Sequence, residues 1–262
     1  MRNASISERG AQVTLIDGSY RYIMCGRYTL TRQERLVEEL EASLGEAPQS
    51  EWWKARFNVA PTQPAPVVIL RDGSRQVEMM RWGLVPHWAG KGGKPPLMIN
   101  ARVESVQDKP MFRDALQRRR CLVPADGFFE WKRHGQGKSA TKQPMYMHRP
   151  EKQLFAFAGL WARLYTEAGE QLSFTIVTGP PNDLVAPIHD RMPIVLDPSA
   201  YAAWLDPAVD GASVRVLLRV PPVGDWVAEP VSPRVNSAVN DDAACITPIA
   251  DGAPAQGSLF LA

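Results

Sequence analysis

Cysteine and histidine are scarce in this sequence, and their spacing argues against a small protein stabilised by disulfides or by a structural zinc site. The cysteines are odd in number and far apart in the chain: Cys25, Cys121 and Cys245. The histidines form no cluster and no pair with metal-ligand spacing: His87, His134, His148 and His189. We therefore expect neither a disulfide framework nor a metal or cofactor site, which favours a reducing, intracellular compartment.

Long apolar runs and a strong excess of one charge are also missing. No stretch approaches the roughly 18 apolar residues of a membrane-spanning helix, and residues 1–23 lack the apolar core of a signal peptide. The net charge is only +2, yet residues 109–142 hold nine basic residues against three acidic ones. That stretch could face phosphate or be an ordinary solvated surface. We expect a cytoplasmic monomer with no membrane partner.

The sequence that remains is typical of a globular protein with many strands. Short helices are predicted over residues 36–44, behind a Thr31–Glu34 capping box, from Pro110, and between Pro198 and Leu205. A hairpin turn is predicted at Asp72-Gly73. Apolar runs predict strands at 67–70, 76–82, 121–123, 128–132, 145–148, 154–161, 172–178, 194–196 and 214–219. No repeat or compositional break divides the chain, so these patterns favour one α+β domain.

Met24-Cys25-Gly26-Arg27 is the stretch with the most distinctive chemistry. If translation begins at Met24, removal of that methionine leaves Cys25 with an α-amine and a thiol on adjacent carbons, a pair that can close a five-membered ring on an aldehyde. An α-amine has a pKa of about 7.7–8.0, so roughly a tenth of it is the free nucleophile at pH 7. The alternative interpretation is a small buried cysteine that opens a strand.

Two later stretches could assist such a nucleophile. Glu130 lies in a run of aromatic residues, where burial would raise its pKa into the range useful for proton transfer. By strand alternation, Phe129 and Trp131 share the face opposite Phe128 and Glu130. Asn100 could hold an amine or a thiolate. Each residue also has a structural alternative, as an exposed strand carboxylate or a turn amide.

Two more stretches could contribute a proton donor and contacts with DNA. His189, between proline-bounded turns, could donate a proton near neutral pH, or could simply be hydrogen-bonded to Asp190. Arg102 and Arg191 suit phosphate. Trp82 could stack on a base, although a tryptophan more often lies in a core.

Taken together, these stretches resemble one family, the SOS-response-associated peptidase (SRAP) family, which includes the abasic-site shielding proteins. The resemblance covers about residues 24–248. Its motifs occur here in the family's order: Cys25-Gly-Arg-Tyr, Arg81-Trp-Gly-Leu-Val-Pro, Asn100-Ala-Arg-Val-Glu, Arg120-Cys-Leu-Val-Pro-Ala-Asp-Gly-Phe-Phe-Glu-Trp, Ala158-Gly-Leu-Trp and His189-Asp-Arg-Met-Pro.

The resemblance implies a single SRAP-like domain over residues 24–248, with a twisted, barrel-like, mostly antiparallel β-core flanked by short helices. Residues 249–262 would be a flexible tail. The implied activity is binding of single-stranded DNA and covalent crosslinking of an abasic site through a thiazolidine, which shields the lesion reversibly. A protein of this kind would be associated with the nucleoid when bound to DNA.

The resemblance also assigns roles to individual residues. Cys25 would be the crosslinking nucleophile and Asn100 its positioning partner. Glu130 would be a proton shuttle, and His189 the acid that opens the sugar and assists reversal. The implied DNA contacts are Arg27, Pro61, Thr62, Trp82, Arg102, Trp131 and Arg191.

Residues 1–23 depart from the family pattern, because the nitrogen of Cys25 is an amide while they are attached. We expect this segment to be absent from the mature protein or disordered, with the amine released by a start at Met24, by a protease or by self-cleavage. Two other functions stay open. The chain could be a cysteine peptidase using Cys25, Glu130 and His189, or a non-covalent single-strand binder with a structural cysteine.

Overall fold

The computed structural model of the chain describes residues 25–44, 54–86, 88, 97–135, 140–167 and 169–249. The strands in these ranges are β1 (Arg27–Leu30), β2 (Ser43–Leu44), β3 (Arg56–Val59), β4 (Pro64–Arg71), β5 (Ser74–Trp82), β6 (Asn100–Arg102), β7 (Arg120–Ala125), β8 (Gly127–His134), β9 (Thr141–His148), β10 (Phe155–Thr166), β11 (Gly169–Gly179), β12 (Met192–Pro193), β13 (Val195–Leu196) and β14 (Val227–Pro230). The helices are α1 (Leu36–Glu39), α2 (Pro110–Arg118), α3 (Tyr201–Leu205) and α4 (Gly211–Val214).

Five strands of the larger sheet close into a barrel. The order runs β5–β4–β7–β10–β11 through antiparallel pairs, and a parallel pairing of β11 with β5 completes the ring. Closure removes the unpaired edges that a flat sheet would expose. The predicted α+β fold with a barrel-like, mostly antiparallel core is confirmed.

A second, five-stranded sheet lies in the order β14–β9–β8–β1–β3. Its β1 pairs antiparallel with β8, which sets Arg27 opposite Phe129. The residues just before β1 therefore lie beside the middle of β8. This register brings Cys25 next to Glu130, although 105 residues separate them in the chain.

Strand alternation in β8 divides its aromatic residues between two clusters, as predicted. Phe128 packs in the main core, whereas Phe129 packs with Tyr146, Val235 and Cys245 in a smaller cluster that Trp131 also contacts. Gly127 is required at the start of β8, because a Cβ there would lie 2.3 Å from the Tyr146 ring. The smaller cluster ties the C-terminal part of the chain to β8.

Local signals correctly predicted a hairpin and two helices. Asp72 and Gly73, with φ of 51° and 78°, form the turn between β4 and β5, since both residues take the left-handed conformation that a tight hairpin needs. Helix α2 begins at Pro110. The predicted helix between Pro198 and Leu205 is a 3-10 turn followed by α3, with Tyr201 and Trp204 buried.

Two predicted elements are wrong. The helix expected over residues 36–44 ends after α1, because Glu41 takes a left-handed φ of 49°, and the following residues pair with β5 as strand β2. There is no capping box, because the Thr31 hydroxyl donates to Asp126 instead (2.7 Å). In the segment 214–219, predicted as a strand, Val214 ends α4, which the Asp210 side chain caps, and Arg215–Leu217 form a 3-10 turn.

Other predictions fall outside the described residues. These concern residues 1–23 and residues 250–262 of the predicted C-terminal tail. No helix in the described part of the chain is long and apolar enough to cross a membrane. Within the same ranges, no group of three or more His, Cys, Asp or Glu side chains could hold a metal ion.

Candidate active site

The backbone nitrogen of Cys25 and the carboxylate of Glu130 form the centre of the site. The Cys25 N–H donates to Glu130 Oε1 at 2.7 Å, and both residues are 1% exposed. Cys25 also takes a left-handed φ of 39°. That conformation costs a non-glycine residue about 1–2 kcal/mol, and such strain persists only where surrounding contacts impose it.

Burial controls the ionisation of both groups. It raises the pKa of Glu130 to about 8, with a further rise from the charge of Asp190, while the hydrogen bond from Cys25 acts to lower it. A carboxyl group with this pKa can both accept and release a proton near neutral pH. Burial, and then the charge of Glu130, raises the pKa of the Cys25 thiol well above its usual value. The thiol therefore needs a nearby base before it can react as a thiolate.

The His189 ring lies on the other side of Glu130. Its Nδ1 is 4.0 Å from Glu130 Oε2 and 3.2 Å from an Asp190 carboxylate oxygen. The Arg191 backbone N–H donates to the same nitrogen at 3.1 Å. The Arg191 carbonyl oxygen lies 3.3 Å from the same nitrogen, so this nitrogen can donate in one tautomer and accept in the other. Sequence-predicted Cys25, Glu130 and His189 thus lie together.

Arg102 and Arg191, two arginines predicted to contact DNA, both lie beside β11 at Thr178. Strand β6 pairs with β11 so that Arg102 is opposite Thr178, and the Arg191 guanidinium donates to the Thr178 carbonyl at 2.8 Å. The Arg191 guanidinium also forms a bidentate ion pair with the Glu104 carboxylate, with N···O distances of 2.5 and 2.9 Å. Arg102 is exposed, whereas Asn100 is half-buried at the start of β6. A role of Asn100 in holding Cys25 stays a prediction.

Three further predicted DNA contacts are accessible. Pro61 is half-buried and Thr62 is exposed with a left-handed φ of 75°, held by a bond from its N–H to the Trp82 carbonyl (2.8 Å). Trp131 follows Glu130 in β8 and is half-buried. Its indole Nε1 donates to Asn236 Oδ1 at 2.7 Å.

Arg27 and Trp82 do not fit the prediction that they contact DNA. The Trp82 side chain is fully buried between Tyr28 and Phe174, and its indole donates to the Ile99 carbonyl at 2.9 Å. Arg27 is 5% exposed and donates to the Val235 carbonyl at 2.6 Å. A residue enclosed by protein offers no face to a base or a phosphate, so both are structural here.

The basic stretch at 109–142 does not form one surface. Arg120 is buried and donates to carbonyls at the ends of α2 and α3, while Arg119 pairs with Asp114. Arg113 and Arg118 lie exposed on α2, and Lys142 lies exposed on the β8–β9 hairpin. In that hairpin, Arg133 stands opposite Lys142. This basic hairpin includes β8, the strand that carries Glu130, and so continues from the site.

Sequence reasoning missed the residues that attach the C-terminal segment to the site. Asn58 is fully buried and donates to three carbonyls of that segment. The Asp241 carboxylate accepts from the backbone of Phe57 and Asn58. Asn236 accepts from Trp131. These contacts join residues between 105 and 184 positions apart, so no local pattern in the sequence could indicate them.

Comparisons with known proteins found a matching family model, related sequences and a solved structure of the same fold. The family model for "SOS response associated peptidase (SRAP)" matches residues 24–238. The abasic site processing protein YoqW of Bacillus subtilis is 39% identical over 222 residues, covering 83% of this chain and 96% of YoqW. YedK of Escherichia coli, also named an abasic site processing protein, is 33% identical over 233 residues, covering 86% of this chain and 100% of YedK. A crystal structure of a Bacteroides thetaiotaomicron protein has the same fold, with a TM-score of 0.74 over 86% of this chain and all of that chain, at 23% identity.

Proposed function

Because this chain belongs to the SRAP family, we propose that it processes abasic sites in single-stranded DNA by forming a covalent, reversible crosslink through Cys25. The names of its relatives support action on abasic sites. The geometry of the site supports the finer chemistry. With DNA as its partner, the protein would associate with the nucleoid.

The observation that carries this proposal is the 2.7 Å contact between the Cys25 nitrogen and Glu130. Once residues 1–24 are removed, that nitrogen becomes an α-amine, and removal also relieves the left-handed backbone at Cys25. A carboxylate at hydrogen-bond distance can take a proton from the ammonium and leave the nucleophilic amine. The match to the family model from residue 24 supports a mature chain that begins at Cys25.

The reaction is a condensation followed by an addition. The amine attacks the aldehyde carbon of the ring-opened sugar, a C–N bond forms, and the carbonyl oxygen leaves as water to give an imine. The thiol then adds to the imine carbon, so that a C–S bond closes the thiazolidine and the thiol proton passes to the nitrogen. Glu130 is suited to carry this proton, because its raised pKa matches neutral conditions.

The residues around Glu130 fit the other steps. His189, 4.0 Å from Glu130, can donate the proton that opens the sugar ring and, in reverse, reopens the thiazolidine. Arg102, Arg191 and the basic β8–β9 hairpin suit the phosphates on either side of the lesion. A single-stranded substrate leaves the reacting sugar accessible without unpairing a duplex.

The test is incubation of protein that starts at Cys25 with a single-stranded oligonucleotide carrying one abasic site, followed by denaturing electrophoresis. We expect a band that survives denaturation and is absent from Cys25→Ala. Matched controls are Cys121→Ala and Cys245→Ala, which remove the two other buried thiols and should still crosslink. A stable band of equal strength in Cys25→Ala would overturn the proposal.

Self-cleavage is a second candidate activity, favoured by one specific observation. Glu130 contacts the very peptide nitrogen that must be released, next to a strained Cys25 and close to His189. Hydrolysis would add one water and separate residues 1–24 from Cys25. Intact mass of freshly made full-length protein tests this idea. Appearance of the Cys25-start species in wild type but not in Glu130→Gln supports self-cleavage, whereas release at equal rates in both excludes it.

A further inference from the structure

The indole of Trp131 is held by one hydrogen bond from a distant part of the chain. Its Nε1 donates to Asn236 Oδ1 at 2.7 Å, and the two residues are 105 positions apart. The Trp131 side chain packs against the cluster that contains Phe129 and Tyr146. Indole has a single hydrogen-bond donor, so this bond fixes how the half-buried ring is turned.

The backbone around Asn236 is itself fixed by buried side chains. Arg27 donates to the carbonyls of Val235 (2.6 Å) and Asn236 (3.3 Å). Asn58 donates to the carbonyls of Val235, Ser237 and Asn240 at 2.7–3.1 Å. Residues 235–240, which we term the clamped segment, are thereby held against β1 and β3.

Asp241, the residue that follows the clamped segment, attaches it to β3. One carboxylate oxygen accepts from the backbone of Phe57 at 2.6 Å and of Asn58 at 2.9 Å, and the other pairs with Arg56. Arg56 in turn donates to Gln63, which also accepts from the Ala60 N–H next to Pro61-Thr62. One hydrogen-bonded network therefore joins the clamped segment to both Trp131 and the Pro61-Thr62 loop.

We propose that Asn236 is a positioning residue for DNA binding, which orients the Trp131 indole so that a base beside the lesion can stack on it. The buried Arg27 acts indirectly, because it holds the Asn236 backbone and does not touch DNA. A ring fixed before binding loses less conformational freedom when a base stacks on it. The proposal rests on the DNA-binding function proposed above.

The experiment measures binding of an unmodified single-stranded oligonucleotide, so that crosslinking does not contribute. The variants are Asn236→Ala, Trp131→Phe and the double variant, which form a double-mutant cycle. We expect Asn236→Ala to weaken binding about threefold to tenfold, because a base–aromatic stack is partly lost. In the Trp131→Phe background, which lacks the indole donor, the same change should alter binding less than about twofold.

Two controls separate positioning from general loosening. Asn240→Ala removes a side chain of the clamped segment that bonds to the Arg234 carbonyl and not to the indole, and it should leave binding within about twofold of wild type. The dependence of binding on salt should be unchanged in Asn236→Ala, because its phosphate contacts remain. Asn236→Ser has a hydroxyl that is too short to reach the indole, so we expect it to behave as Asn236→Ala does. It replaces Asn236→Ala in the experiment if Asn236→Ala does not fold.

The outcomes distinguish this proposal from the function on which it rests. If wild type does not bind single-stranded DNA, the proposed function fails. If wild type binds and Asn236→Ala or Asn236→Ser has no effect, the positioning role is wrong. An equal loss in the wild-type and Trp131→Phe backgrounds also overturns it, since the effect then does not pass through the indole.

Discussion

Replacing Glu130 by glutamine should stabilise the full-length protein, and the gain should grow with pH. Glutamine keeps an oxygen that can accept from the Cys25 N–H, but it carries no charge to bury. In the folded chain the pKa of Glu130 is about 8, against an ordinary value of 4.5 in the unfolded chain. Below pH 4.5 both states are protonated and the carboxyl group carries no penalty. Between 4.5 and 8 only the unfolded state releases its proton, so stability falls as pH rises.

The size of the effect follows from this difference in pKa. It spans about 3.5 pH units, and each unit is worth about 1.36 kcal/mol, so the upper limit is about 5 kcal/mol at pH 8 and above. Relaxation and entry of water around the carboxylate reduce such penalties, so we expect about 2–5 kcal/mol. That is a large share of the roughly 5–15 kcal/mol by which a domain is stable.

Urea denaturation of wild type and Glu130→Gln at pH 5 and pH 8 measures the effect. The difference in unfolding free energy should be small at pH 5 and favour the variant by a few kcal/mol at pH 8. Glu104→Gln is a control of opposite sign, since the hydrogen bond from Arg191 lowers the pKa of Glu104. Its ionised form stabilises the fold above its ordinary pKa, and that contribution is lost as pH falls. An equal Glu130→Gln effect at both pH values would refute a buried carboxyl group of raised pKa.

Three further substitutions test the structural roles reported above, each by urea denaturation. Trp82→Ala should cost about 3–5 kcal/mol of unfolding free energy, because it empties a fully buried site; a change in DNA affinity with no loss of stability would contradict this. Arg120→Leu should cost at least about 3 kcal/mol, because it leaves several buried carbonyls without a donor, and a neutral effect would mean that water replaces the guanidinium. Gly127→Ala should cost about 1–3 kcal/mol through collision with the Tyr146 ring, and the double variant with Tyr146→Ala should recover part of that loss.

The sequence predicted best those features that depend on neighbours along the chain. The Asp72-Gly73 turn, the start of α2 at Pro110 and the alternation of β8 each follow from residues a few positions apart. That alternation placed Glu130 on the face opposite Trp131. The aromatic setting of Glu130 suggested burial as one of two alternatives, beside an exposed strand carboxylate, and the structure shows that Glu130 is buried. The possibility of a buried carboxyl group at Glu130, the main chemical feature of the site, could therefore be inferred from the sequence.

Features that depend on contacts between residues far apart in the chain could not be predicted from the sequence. The Thr31 hydroxyl is taken by Asp126, which lies 95 residues further along, so the local capping pattern was misleading. Arg27 and Trp82 lie in motifs of the family, but motif membership does not distinguish a residue that touches DNA from one that supports the site from within. Asn58 has no neighbouring pattern at all, because its three acceptors come from the other end of the chain.

The most direct test of the central claim is the covalent structure of the adduct on Cys25. The crosslinked complex is digested with nuclease and protease, treated with a thiol-alkylating reagent, and the N-terminal peptide is sequenced by mass spectrometry. We predict a sugar remnant on Cys25, a mass lower by one water than the sum of the two parts, and no alkylation of that residue, since its nitrogen and sulfur both bond to one carbon. A remnant on a lysine, or on Cys25 with a thiol that is still open to alkylation, would contradict the account.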